Sequence, residues 1–319
     1  MVLFFLAACA PVIKTAGPSQ TAPILAQDAI VTADAQRLAL RAWLPSGEAQ
    51  AVIIALHGFN DYSNAFDEPG TLLAKQGIAV YAYDQRGFGA SIERGYWAGE
   101  AAMSDDLITA IRLIGARQAG KPLYLLGESM GGAVVMVTMA RPDAPKVAGV
   151  ILSAPAVWGR SSMGFLQRSA LWVASHTMPW LTLSGRGLGI TPSDNLDMLR
   201  RLSADPLVIK ETRVDAIHGL CDLMDDAALA AAGLHGPILA LYGDKDEVIP
   251  AAPTFKMLGD LPADSALTIA FYADGYHMLL RDLAAERVLM DIDAWIKHPG
   301  APLPSGADRH ARERLAATG

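Results

Sequence analysis

Ser129 sits in a setting that would make a hydroxyl a nucleophile. Residues 127–131, Gly-Glu-Ser-Met-Gly, fit the pattern G-x-S-x-G, follow the apolar run 123–126 and precede a small-residue helical pattern over 130–140. That context predicts a tight strand-to-helix turn with the serine exposed at its tip, because flanking side chains would collide there. A serine hydroxyl needs a base, and the base needs an acid to orient it. Downstream, Gly243-Asp244-Lys245-Asp246 follows one apolar run and Asp274-Gly275-Tyr276-His277 follows another. Ser129, Asp246 and His277 thus come in the chain order nucleophile, acid, base, with Asp244 as the alternative acid. Developing oxyanion charge needs amide donors. The expected pair is Met130, directly after the serine, and Phe59 in the His57-Gly58-Phe59-Asn60 loop. His57, Asp84 and Arg86 also lie at strand ends but before the serine, which suits scaffolding of the loops.

Elements must hold these residues. Runs 51–56 (AVIIAL), 78–83 (IAVYAY), 123–126, 147–152, 237–242 and 266–272 are continuously apolar, as in strands buried on both faces. Helical patterns over 104–117, 130–140 and 282–297 fall between and after them, and 37–44 supplies an earlier strand. The fold class expected is α/β, with a mostly parallel central sheet and helices on both faces. The rhythm stops once. Residues 155–234 contain helix-like pieces and no convincing buried strand, so they read as a helical cap inserted in a core of 31–154 and 235–298. Trp158, Trp172 and Trp180 lie in that insertion, either packing it onto the body or lining an apolar groove. Residues 299–319 read as a flexible tail.

The chain has 319 residues, 52% hydrophobic and 18% charged, with 26 Lys plus Arg against 33 Asp plus Glu. That excludes general disorder and, without a basic block, makes nucleic acid an unsuitable partner. Two cysteines, Cys9 and Cys221, rule out a disulfide-dense fold, and no His/Cys/carboxylate spacing suits a metal. Residues 1–8 form an uncharged apolar segment, and Leu6-Ala7-Ala8-Cys9 resembles the lipobox of bacterial lipoproteins. The expectation is a signal segment over 1–8, a lipidated Cys9, a flexible tether over 9–30, and a membrane-anchored protein of the bacterial cell envelope; a cytoplasmic protein is the alternative.

These motifs together resemble the α/β-hydrolase superfamily, and within it the monoacylglycerol lipase and lysophospholipase group. The resemblance runs from about Arg37 to Trp295 through HGF-N, YDQRGFGAS, GESMGG, Asp205-Pro206-Leu207, YGDKDEVIP and DGYHML. It implies Ser129 as nucleophile, Asp246 as acid, His277 as base, and Phe59 and Met130 as oxyanion donors, with no cofactor. It implies a lipid ester with one acyl chain as substrate and a cap over an acyl channel. One departure stands out: the group has H-G-x-x-E-H where this chain has HGFNDYS, which bears on the alcohol side of the substrate. A general carboxylesterase for short or medium-chain esters, and a non-catalytic binding lipoprotein on this fold, are the rival readings. No oligomeric state is set by the sequence.

Overall fold

The computed structural model describes residues 10–318 except Arg186 and Leu188. Its centre is a nine-stranded sheet. The first strands are β1 (Ile24–Leu25), β2 (Ala29–Val31), β3 (Arg37–Trp43), β4 (Ala51–Leu56) and β5 (Ile78–Tyr83). β6 (Leu123–Glu128) and β7 (Gly149–Ser153) follow, then a two-residue pair outside the sheet, β8 (Thr182–Leu183) and β9 (Thr212–Arg213). β10 (Pro237–Gly243) and β11 (Ala266–Tyr272) complete the sheet, whose order is β1-β2-β3-β5-β4-β6-β7-β10-β11. From β5 to β11 every neighbouring pair is parallel, and β1 to β3 join antiparallel.

Both faces of the sheet are covered, which is why β4 and β5 are buried at every position. Ile53 and Ala55 of β4 face a core shared with α1 (Asp67–Lys75) and the C-terminal helix pair described below. Val52, Ile54 and Leu56 face a larger core against α2 (Glu100–Arg117) and α3 (Met130–Met139). Helix α2 starts four residues before the expected pattern over 104–117, so Ser104 is buried inside it.

The segment between β7 and β10, expected to form a cap, carries α4 (Phe165–Thr177), α5 (Leu196–Ala204) and α6 (Val214–Ala230). Only part of 155–234 stands apart from the body. Cys221, Leu223, Met224 and Ala227 of α6 are buried in the same core as α3, so this helix, expected in the insertion, stabilises the body. Helix α4 does the opposite, leaving Phe165, Leu166, Trp172 and Val173 exposed. Helices α7 (Ala251–Asp260) and α8 (Ala285–Lys297) return to the sheet.

Both termini differ from the flexible segments expected of them. Before β1 the chain lies on the body, with Lys14 N donating to Trp97 O (2.7 Å) and Ile13 bridging Trp97; after it, Ala29 and Ile30 of β2 are fully buried. At the other end, residues 299–319 include α9 (Ala307–Thr318), packed along β11, with Leu303, Ala307 and Ala311 buried. An otherwise open edge strand is thereby covered. Cys9 and residues 1–8, expected to form a signal segment, lie outside the described residues. Among the described residues no helix is long and apolar enough to cross a membrane.

Candidate active site

Four adjacent parallel strands, β6, β7, β10 and β11, end on the same side of the sheet, and the predicted residues follow three of them. Ser129 comes directly after β6 with φ 52° and ψ −117°, a left-handed conformation that costs a side-chain-bearing residue about 1–3 kcal/mol. Surrounding bonds hold it there. Its N–H donates to Ser153 O of β7 (2.9 Å), and its carbonyl accepts from Ala156 N (2.9 Å) and Ala133 N (3.2 Å). The turn also requires contact closer than a side chain permits: a Cβ on Gly131 would stand 2.1 Å from Leu56 O. Leu56 ends β4 and leads into the Phe59 loop, so elbow and loop press together. A Cβ at Gly58 would meet Ser129 Cβ at 3.4 Å and lie 4.0 Å from its Oγ.

Asp246 and His277 are joined directly. His277 Nδ1 and Asp246 Oδ2 are 2.8 Å apart, with the Asp246 side chain wholly buried. Asp246 Oδ1 is occupied by Val248 N (2.8 Å) and Ile249 N (2.9 Å), leaving Oδ2 for the imidazole. With the carboxylate as acceptor, Nδ1 carries the proton and Nε2 presents its lone pair. The two loops are also stitched by backbone, through Lys245 N to Gly275 O (2.9 Å) and Asp244 N to Tyr272 O (2.9 Å). No hydrogen bond between Ser129 and His277 is formed among the described residues; such contacts commonly tighten only with substrate. Ser129 and His277 are buried, 9% and 5% exposed, so the serine expected at an exposed tip is almost fully covered. Met130, fully buried, opens α3, while the Phe59 ring packs edge-on to Phe88 (5.6 Å) and Trp97 (6.4 Å).

The competing residues have other partners. Asp244 takes His310 Nε2 of α9 at 2.7 Å, away from His277. Asp84 accepts Ser63 N (3.0 Å) and Ala90 N (2.8 Å), and Arg86 lies between Asp34 (2.7 Å) and Asp106 (2.6 Å). His57 is fully buried, with Nε2 accepting Gln85 N (3.0 Å) and Nδ1 donating to Gly58 O (2.8 Å). Burial holds its pKa below the usual value and keeps it neutral, a fixed support of the loop. Of the three tryptophans, Trp158 packs against the core. Trp172 lines an open surface cavity of about 420 Å³ with Phe165, Arg168, Val173 and His218.

Arg281, Asp61 and Glu128 escaped the sequence reading. Arg281 Nη1 lies 2.8 Å from Asp61 Oδ2 and Nη2 lies 3.0 Å from Glu128 Oε1, all three side chains buried. Their positions are far apart in the chain, and the one available sign was an acidic residue, Asp61, where HGFNDYS departs from the pattern it resembles. Among the described residues no group of three or more His, Cys, Asp or Glu is arranged to hold a metal ion.

Residues 47–284 match the family described as "Serine aminopeptidase, S33", a span that includes Ser129, Asp246 and His277. This chain belongs to that family. It is a carboxylic ester hydrolase of the α/β-hydrolase superfamily. Among its relatives, monoglyceride lipase of Rattus norvegicus is 28% identical over 276 residues, covering 84% of this chain and 89% of the relative. Monoacylglycerol lipase of Mycolicibacterium smegmatis is 26% identical, covering 82% and 92%. The crystal structure of Paleococcus ferrophilus monoacylglycerol lipase superposes with a TM-score of 0.67 at 24% identity, covering 81% and 98%, a likeness of fold.

Proposed function

We propose that this hydrolase cleaves lipid esters carrying one acyl chain, a monoacylglycerol or a lysophospholipid, through an acyl-enzyme on Ser129. The observation that carries the reading is the 2.8 Å Asp246–His277 bond, formed in a chain that also holds Ser129 in a strained elbow. His277 Nε2 would accept the Ser129 proton as Oγ attacks the ester carbonyl. The Phe59 and Met130 amides would receive the developing oxyanion. His277 would return the proton to the departing alcohol, then activate water to release the fatty acid, while Asp246 stabilises the imidazolium that forms in each step.

Substrate class rests on two supports. The relatives above are named as lipases of monoacyl glycerides. The cap exposes Phe165, Leu166, Trp172, Trp180 and Leu183, an apolar surface suited to a lipid phase. An acyl group on Cys9 would keep the enzyme at a membrane; in its native host the protein should fractionate with membranes, and Cys9→Ser should release it. The substrate class is tested with monoacylglycerol, lysophospholipid and simple alkyl esters at matched acyl length, plus a short acetyl ester. Long-chain monoesters should show the higher kcat/KM. Acetyl esters turned over far faster would replace this reading with a general carboxylesterase.

A further inference from the structure

We propose that Arg281 is a positioning residue that locks the oxyanion loop and the nucleophile elbow to the histidine loop. The inference rests on the serine-hydrolase reading and concerns how its parts are kept in register.

Arg281 lies four residues after His277, in a turn closed by its own N–H on Met278 O (2.8 Å). From there its guanidinium reaches Asp61, two residues beyond Phe59, and Glu128, the residue directly before Ser129. One side chain on the loop after β11 therefore reaches both the loop after β4 and the end of β6. Both acceptors are fixed at their own end. Asp61 N–H donates to Gly58 O (3.3 Å) and Asp61 Oδ1 accepts Tyr62 N (2.8 Å), while Glu128 is the last residue of β6. The histidine end is fixed by the neighbour, Asp282, whose carboxylate accepts Tyr276 N (2.8 Å) and Ser193 Oγ of the cap (2.6 Å). The Arg281 carbonyl accepts Asn195 Nδ2 (3.0 Å), so the cap segment before α5 bears on the same turn.

Stability alone does not explain the arrangement. Buried ion clusters are often no more stabilising than well-packed apolar side chains. What they do impose is geometry, because a guanidinium forked between two buried carboxylates cannot move without leaving a charge unpaired. A displacement of about 1 Å at a reacting group can cost on the order of 100-fold in rate. The position of this cluster, within two residues of both Phe59 and Ser129, is where such control would matter.

The test compares Arg281→Met, Arg281→Lys and the uncharged triple variant Asp61→Asn/Glu128→Gln/Arg281→Met with the unaltered protein. Each is assayed for kcat and KM on a chromogenic ester and for Tm. Arg281→Met should lower kcat by about 10- to 100-fold while KM stays within about threefold, the signature of misplaced chemistry and not of lost binding. Arg281→Lys should recover part of that loss. The triple variant, with no unpaired buried charge, should regain a Tm near the original while kcat stays low. Full recovery of kcat in the triple variant, or a loss confined to KM, overturns the proposal; if Arg281→Met does not fold, the other two decide. Ser129→Ala in the same assay separates the two claims. Undiminished turnover there would defeat the serine mechanism itself, whatever Arg281 does.

Discussion

One residue, Lys245, separates Asp244 from Asp246, and the turn between them sends their carboxylates to different partners. Asp246 is spanned by two backbone amides and His277; Asp244 faces His310 and Arg314 on α9. Sequence order could not choose between them, because a loop's direction depends on its turn and not on its composition. The outcome expected at this scale is a sharp contrast. Asp246→Asn should lower kcat by about 10⁴-fold, since an amide stabilises neither the required tautomer nor the imidazolium. Asp244→Asn should leave kcat within about threefold and lower Tm by a few degrees, as expected for loss of a partly exposed ion pair. Parallel kinetics and thermal melts of the two variants make the comparison. Equal losses of kcat would mean that the acid is misassigned.

Elements decide where these residues stand, and the elbow shows how narrow the tolerance is. Helix α3 enters against the end of β4 so closely that Gly131→Ala would drive a methyl to 2.1 Å from Leu56 O. Neither backbone can yield without shifting Ser129 or the Phe59 loop. The expected result is a loss of kcat/KM of at least about 100-fold, read alongside circular dichroism to separate misplacement from unfolding. Full activity in Gly131→Ala would show that elbow and loop are not rigidly packed. The strands of this core were legible because burial on both faces leaves uninterrupted apolar runs such as AVIIAL and IAVYAY. Helix α9 was not, since its buried contacts come from Ala307 and Ala311, small residues set among charged ones. Helix α6 looked like cap because amphipathic periodicity says that one face is covered and not by what. The Arg281 cluster was hidden for a related reason: its members meet only after three distant loops converge.

At the scale of the whole molecule, two opposed titrations each make stability depend on pH. Glu100, at the start of α2, has its pKa pushed up to about 7 by burial and by its hydrogen bond with Asp226 of α6. The folded state thus holds a proton that the unfolded chain releases near the ordinary carboxylate range, so this contribution is lost as pH rises through about 7. His57 works at the other end: held below its usual pKa by burial, it costs stability as pH falls below the ordinary imidazole range, where the unfolded chain takes up a proton first. Glu100→Gln should therefore raise Tm by a few degrees at about pH 8 and change it little at about pH 5. Melting curves across that range test the assignment; an equal effect at both ends would contradict it.

All three scales converge on one hydroxyl. The most direct measurement is covalent labelling of the folded protein with a fluorophosphonate, followed by mass spectrometry of the peptide that contains GESMGG. A single adduct on Ser129 is expected, abolished by unfolding beforehand and strongly slowed in His277→Ala, because the base that activates Oγ is removed. An unlabelled protein that nonetheless hydrolyses esters, or labelling that persists at another residue in Ser129→Ala, would contradict the account.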